Sequence, residues 1–331
     1  MLRHRILFAE VEKVAKVYIP QPCAKEGVDY LLALGYEVKV GNNPTTEEFV
    51  KEVADCDAVL LRTALCPEEV LAAGRNLKIV ARHGVGYDNV DLAAADRLGI
   101  WVTNTPQALS DSVAEYTLMA MLMAAKNVVN CSNEMYQGNF FYKNSHKGMD
   151  LFGKTLGIVG FGRIGRALAK KAYFGLDMNI LAYHPRLTQE QVPEYVKLCS
   201  REELFAQSDI VSLHLPGGEA NRNAVGEKEL ALMKPTAILV NAARGEVVDE
   251  AALEKALEEG KLTRAVLDVQ SKEPPEADYP FYQNNKVILT PHMASNTDAC
   301  MARMALHAAW QIHKALSTGT PDWPVNHPVK K

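Results

Sequence analysis

The stretch that most constrains this chain is Thr155–Gly165, read TLGIVGFGRIG. Thr155-Leu156-Gly157-Ile158-Val159 has the length and apolarity of a buried parallel strand. Gly160-Phe161-Gly162-Arg163-Ile164-Gly165 follows, and then Arg166 to Ala172, rich in good helix formers. This is GxGxxG in the setting it requires, between a strand and a helix. Gly160 permits the turn, Gly162 lets backbone approach a pyrophosphate, and Gly165 lets helix and strand pack closely. The unpaired N–H groups and dipole at the helix N-terminus favour an anion there. The expectation is a dinucleotide site.

On both sides of this loop, strand and helix patterns alternate. Residues 6–9 read as a strand, 22–34 as a helix stopped by Gly35, and Tyr36 to Val40 as a strand. Thr45 or Thr46 caps a helix through Ala54, and Ala58 to Leu61 is a strand. A helix from Pro67 ends at Gly74, and Leu77 to Ala81 is a strand. A helix from Val90 to Leu98 stops at Gly99, before the strand Ile100 to Thr103. The second series has strands at 155–159, 178–183, 209–213, 237–241, 264–268 and 286–289, with a clear helix at Glu250–Glu259. Asn296 to Leu316 is a last helix, and Pro-rich coil follows. Such alternation predicts an α/β chain with parallel sheets covered on both faces. Between the series, Ser112 to Val129 reads as one helix, apolar nearly all round and therefore buried. Residues 131–150 are expected to be irregular and to contact a second subunit.

With 331 residues the chain has room for two domains. A net charge of −4 without a Lys/Arg run argues against nucleic acid. No apolar stretch approaches membrane-span length, and the N-terminus lacks the apolar core of a signal peptide. Six scattered cysteines, with no C-x-x-C pair, suit reduced thiols in a cytoplasmic protein. Nine dispersed histidines suggest no metal site.

Three clusters fall at strand ends, the edge where open α/β sheets bind ligands. Arg244 follows Val240-Asn241-Ala242-Ala243 and suits a bidentate grip on a carboxylate, or a surface ion pair. Asp268 ends an apolar strand, as a loop cap or a ligand contact, and Glu273 precedes two prolines. His292 follows Leu289-Thr290-Pro291. A lone histidine is more often structural, but Arg, Glu and His at three neighbouring strand ends together supply a clamp, a proton donor and an acid to tune it.

The chain resembles the D-isomer-specific 2-hydroxyacid dehydrogenases, the family of phosphoglycerate dehydrogenase, glycerate/hydroxypyruvate reductase and D-lactate dehydrogenase. The likeness rests on RHGVGYDNVD (82–91), NTP (104–106), VAEYTL (113–118), GKTLGIVGFGRIG (153–165), LHLP (213–216), VNAARGEVVDE (240–250), LDV…EP (267–274) and TPH (290–292). The resemblance implies a catalytic trio of Arg244, Glu273 and His292. It also implies a nicotinamide-contacting acid at Asp268 and a substrate-carboxylate loop at Val85-Gly86. Further cofactor positions fall on Arg163, Ile164, Leu215, Pro216, Ala242, Ala243 and Ser295.

It implies two Rossmann-like or flavodoxin-like doubly wound domains with the active site in a cleft between them. A discontinuous substrate domain would comprise 1–104 and 294–331, and the dinucleotide-binding domain 105–293. A homodimer through 105–150 is the family habit. Two departures stand out. Gly217-Gly218 replaces the usual Leu-Thr after LHLP, and His184-Pro185-Arg186 stands where NAD-specific members carry an acid for the ribose hydroxyls. That acid would repel a 2′-phosphate, so its absence beside Arg186 favours NADP over NAD.

The expected function is NAD(P)-dependent interconversion of a 2-oxo acid and a D-2-hydroxy acid, with the His292/Glu273 pair as acid–base machinery. Other roles on this scaffold are a cofactor-sensing corepressor-like binding protein and a formate- or phosphite-dehydrogenase-like enzyme.

Overall fold

The structure, a computed structural model, describes residues 14–329. The strand expected at 6–9 lies outside the described residues. The chain divides into two compact units, one running to Thr105 and resuming at Met301, the other Pro106–Cys300.

The described residues of the first unit hold five parallel strands, β1 (Lys16–Ile19), β2 (Glu37–Val40), β3 (Ala58–Leu61), β4 (Ile79–Arg82) and β5 (Trp101–Thr103), in the order β2-β1-β3-β4-β5. That is a flavodoxin-like order. β1 is not among the expected strands. Side chains alternate across the sheet. Val17, Ile19, Ala58, Leu60, Ile79 and Ala81 pack with Leu31 of α1 (Lys25–Ala33) and Ala308, Ala309 and Ile312 of α11 (Asp298–Thr318). Tyr18, Val59, Leu61 and Val80 face α2 (Thr46–Val53), α3 (Glu68–Ala73) and α4 (Leu92–Leu98). With both faces buried, the strands read as apolar runs rather than alternating ones. Thr45 caps α2 as expected: its hydroxyl accepts from Glu48 N (3.3 Å), while Glu48 Oε2 accepts from Thr45 N (2.8 Å).

The second unit opens with α5 (Ser110–Ala125) and α6 (Val128–Tyr136). There follow β6 (Thr155–Val159), α7 (Arg163–Leu176), β7 (Asn179–Tyr183), β8 (Val196–Leu198), α8 (Arg201–Gln207) and β9 (Ile210–Leu213). The unit closes with α9 (Glu227–Leu232), β10 (Ile238–Asn241), α10 (Glu250–Glu258), β11 (Arg264–Leu267) and β12 (Val287–Leu289). All seven strands are parallel, in the order β12-β11-β10-β9-β6-β7-β8. Read from β8, this is the doubly wound dinucleotide-binding order with one strand added, and its direction reverses between β6 and β9. α5 packs on α7, β10 and β11.

The apolar helix does not run unbroken from Ser112 to Val129. It ends at Ala125, because Asn127 takes φ +56 and ψ 32, is fully buried, and accepts a hydrogen bond from the Arg264 guanidinium. Residues 131–136, the first part of the stretch expected to be irregular, instead belong to α6, no residue of which is buried.

Candidate active site

The glycine loop sits at the point where strand order reverses. Gly160 has φ +95, and a Cβ there would stand 2.5 Å from His214 O, just past β9. The conformation and the close approach both demand glycine. Gly165 is buried, and its Cβ would stand 2.6 Å from Gly160 O, which is the close helix–strand packing expected of it. Gly162 is the residue before α7 and provides no side-chain cap; a Cβ there would meet nothing within 4 Å. An open backbone at the N-terminus of a 14-residue helix fits a pyrophosphate. Arg163 is exposed, and Ile164 and Leu215 are half-buried beside the loop, with Pro216 exposed.

At the end of β7, His184 Nδ1 accepts from Arg186 N (3.2 Å). Burial, with the charges of Arg186 and Arg166, pushes the His184 imidazole below its ordinary pKa. Pro185 and Arg186 are exposed. The turn is tied to α7 where Arg166 Nη2 donates to Gln191 O (3.1 Å).

Arg244, Glu273 and His292 lie on the loops after β10, β11 and β12. These strands are sheet neighbours, with Asn241, Leu267 and Leu289 level in register. The buried Asn241 amide braces the first loop from both sides: its Oδ1 accepts from Ala243 N (3.0 Å) and its Nδ2 donates to Arg244 O (2.9 Å). Arg244 Nη1 donates to Ala243 O (2.7 Å). Ala242, Ala243 and Arg244 are half-buried. At Gly245 a Cβ would fall 1.9 Å from both Gln270 C and O, so backbone lies directly on backbone and joins the Arg244 loop to the Glu273 loop.

Gln270, only 7% exposed, completes the joint. Its N–H donates to Glu273 Oε1 (3.2 Å), and its Nε2 to Leu267 O and Thr290 O (both 3.3 Å). It thereby reaches the loops of Glu273 and His292. Glu273 Oε2 accepts from His292 Nδ1 (2.7 Å). Burial pushes the Glu273 carboxyl up, but the His292 hydrogen bond and charge, the Gln270 N–H and the Arg244 charge outweigh it and hold the carboxyl below its usual range.

His292 has φ +51, a left-handed conformation that non-glycine residues seldom adopt. Asp268 holds it there. Asp268 O accepts from His292 N (2.7 Å), Oδ1 from Met293 N (2.9 Å) and Thr290 Oγ1 (2.6 Å), and Oδ2 from Ala294 N (2.9 Å). Asp268 is 1% exposed, and its carboxylate is turned to the loop that carries His292, the acid loop. Ser295 is half-buried, and its carbonyl accepts from Thr297 N (2.9 Å).

The structure thus brings Arg244, Asp268, Glu273 and His292 together at one sheet edge. The glycine loop and His184–Arg186 lie at strand ends of the same sheet. Val85 and Gly86 belong to the first unit, after β4. Their loop is held by Asn104 Nδ2 donating to Val85 O (2.8 Å) and by Gly84 N donating to Thr105 Oγ1 (3.0 Å). Asn241 and Gln270 were not singled out from the sequence. A polar residue closing an apolar strand was the available signal for Asn241; nothing local marks Gln270. Among the described residues no cluster of His, Cys, Asp or Glu could hold a metal ion, and no helix is long and apolar enough to cross a membrane.

Sheet order and glycine loop define the second unit as a Rossmann-type dinucleotide-binding unit. Residues 118–294 match the model of the D-isomer specific 2-hydroxyacid dehydrogenase, NAD binding domain. The chain is 37% identical to the glyoxylate reductase of Aeropyrum pernix over 333 residues, covering 96% of this chain and 98% of that one. It is 39% identical to the D-3-phosphoglycerate dehydrogenase of Archaeoglobus fulgidus over 299 residues; this takes in 90% of this chain but only 56% of that relative's length. A crystal structure of a Thermus thermophilus protein superposes with a TM-score of 0.86 at 33% identity, covering 94% of this chain and 99% of the other. The chain belongs to the D-isomer-specific 2-hydroxyacid dehydrogenase family.

Proposed function

We propose that this protein reduces a small 2-oxo acid to the D-2-hydroxy acid, with Arg244, Glu273 and His292 as the catalytic set. The observation that carries the reading is the 2.7 Å pair of His292 Nδ1 and Glu273 Oε2, joined through Gln270 and Gly245 to the Arg244 loop. Gly160, Gly162 and Gly165, with the N-terminus of α7, would hold the dinucleotide. When bound, its dihydronicotinamide supplies a hydride. Arg244 grips the substrate carboxylate through its planar fork and polarises the oxo group. The Val85 and Gly86 N–H groups are read as further carboxylate donors.

A carboxylate only accepts hydrogen bonds, so His292 points Nδ1–H at Glu273 and keeps Nε2 for the substrate. As C2 gains hydride, Nε2–H protonates the oxygen that becomes the alcohol. In the reverse direction the same nitrogen takes the proton back. The name of the Aeropyrum pernix relative makes glyoxylate the first substrate to try, and that of the Archaeoglobus fulgidus relative adds a phosphorylated acid.

The cofactor is read as NADP in preference to NAD. No acid stands at His184 to repel a 2′-phosphate, and Arg186 is exposed two residues on. A homodimer through 105–150 is supported by the exposure of Met135, Tyr136, Phe140 and Phe141 (57%, 85%, 54% and 72%). Six free cysteines accord with a cytoplasmic setting.

The test is turnover of a panel of 2-oxo acids, glyoxylate and hydroxypyruvate included, with NADH and NADPH in parallel. Reduction of at least one to the D-hydroxy acid is expected. Tight dinucleotide binding without turnover of any 2-oxo acid would favour the binding-protein role instead.

A further inference from the structure

The bonds that fix the acid loop continue past Asp268 into α5. Thr290 Oγ1 lies 2.6 Å from Asp268 Oδ1 and 2.5 Å from the Tyr116 hydroxyl. Both Asp268 oxygens already accept from backbone N–H groups, of Met293 and Ala294. Thr290 is therefore the donor to Asp268, and its one proton is spent there. Tyr116 must then donate to Thr290. Burial pushes the Tyr116 phenol up to about 12, so it keeps its proton at any working pH. The chain has one direction, from Tyr116 through Thr290 to Asp268 and on to the backbone that follows His292.

We infer that Thr290 and Tyr116 are positioning residues for His292: by orienting the Asp268 carboxylate they hold the acid loop in the left-handed turn that presents the imidazole to Glu273. An unsupported carboxylate could rotate away from the Met293 and Ala294 N–H groups, and the His292 backbone would then relax toward commoner conformations. Tyr116 also gives this loop a fixed point on α5, a helix that packs on α7 as well as on β10 and β11. The simpler role, satisfying buried polar groups, predicts lost stability without a selective kinetic effect.

The rate arm of this inference rests on His292 being the proton donor; the loop arm does not. Thr290→Val, Thr290→Ser and Tyr116→Phe are compared with His292→Ala for kcat, KM of the oxo acid, cofactor Kd and amide exchange at Met293 and Ala294. Thr290→Val is expected to lower kcat about 10- to 30-fold, with KM and Kd within about threefold, because misplacing a reacting group costs rate more than binding. Exchange at the two amides should quicken by at least about tenfold. Thr290→Ser, which keeps the hydroxyl, should return kcat to within about threefold of wild type, and Tyr116→Phe should fall between. The inference is overturned if Thr290→Val leaves amide exchange unchanged. It is also overturned if kcat, KM, Kd and melting temperature worsen together and Thr290→Ser does no better. His292→Ala at near wild-type rate would instead refute His292 as the donor, while the amide-exchange result would still decide whether Thr290 holds the loop.

Discussion

His292 Nδ1 stands 2.7 Å from Glu273 Oε2, a contact made by residues at the ends of neighbouring strands β12 and β11. It sets the imidazole's orientation and gives it a fixed anionic neighbour. Glu273 in turn is held below its usual carboxyl range by that hydrogen bond, against the opposing effect of burial.

The first prediction follows from that depression. A carboxyl depressed in the folded state stabilises fully above its ordinary value of 4.5, and the contribution is lost as pH falls through the lower folded-state value. Glu273 is 37% exposed at its side chain, so the effect is modest. Denaturant unfolding of wild type and Glu273→Gln between about pH 7 and about pH 3 should show wild type the more stable at the upper end and the gap closing at the lower end. A gap constant across that range would mean Glu273 does not act through its charge.

The second contrasts two glycines. Gly245→Ala places a Cβ 1.9 Å from Gln270 backbone, which cannot step aside as a flexible side chain would. It should destabilise the protein by about 2–3 kcal/mol and cut turnover by separating the Arg244 and Glu273 loops. Gly162→Ala meets nothing within 4 Å, so unfolding should be unchanged while dinucleotide Kd rises about tenfold or more. If Gly245→Ala is neutral, the two loops are not joined as described; if Gly162→Ala binds dinucleotide normally, the cofactor does not approach that backbone.

What the sequence disclosed and what it hid divide along a physical line. Buried parallel strands and capped helices leave local marks, so β3, β4, β6 and β9 to β12 were legible within a residue or two, as was the Thr45 cap. Gly160 and Gly165 were also legible, because close backbone approach admits no other residue. β1 was not: Lys16-Val-Tyr-Ile is short and begins with a charge. α6 was hidden because it is only nine residues long and buries none of them. The break before it depends on Asn127 meeting Arg264, 137 residues away. The same holds at the site. Arg244, Glu273 and His292 stand out as chemistry-bearing types at strand ends, whereas Gln270, Thr290 and Tyr116 matter through partners that only the fold supplies.

The third prediction concerns cofactor choice. One hydrogen bond to a charged group contributes about 1.5–3 kcal/mol, so a phosphate contact by Arg186 should appear as at least a tenfold preference for NADPH in kcat/KM. Arg186→Ala should remove most of that preference and leave NADH turnover unchanged. NADH favoured by wild type, or NADPH use untouched in Arg186→Ala, would contradict the reading without touching the family.

His292 as the proton donor is tested most directly by single-turnover reduction of a 2-oxo acid by His292→Ala with cofactor prebound. A positioned acid contributes about 10²–10⁴-fold, so the reduction step should slow by at least a hundredfold while cofactor Kd changes by less than about threefold. Reduction by His292→Ala at close to the wild-type rate would exclude His292 as the donor and make it a structural residue of its loop.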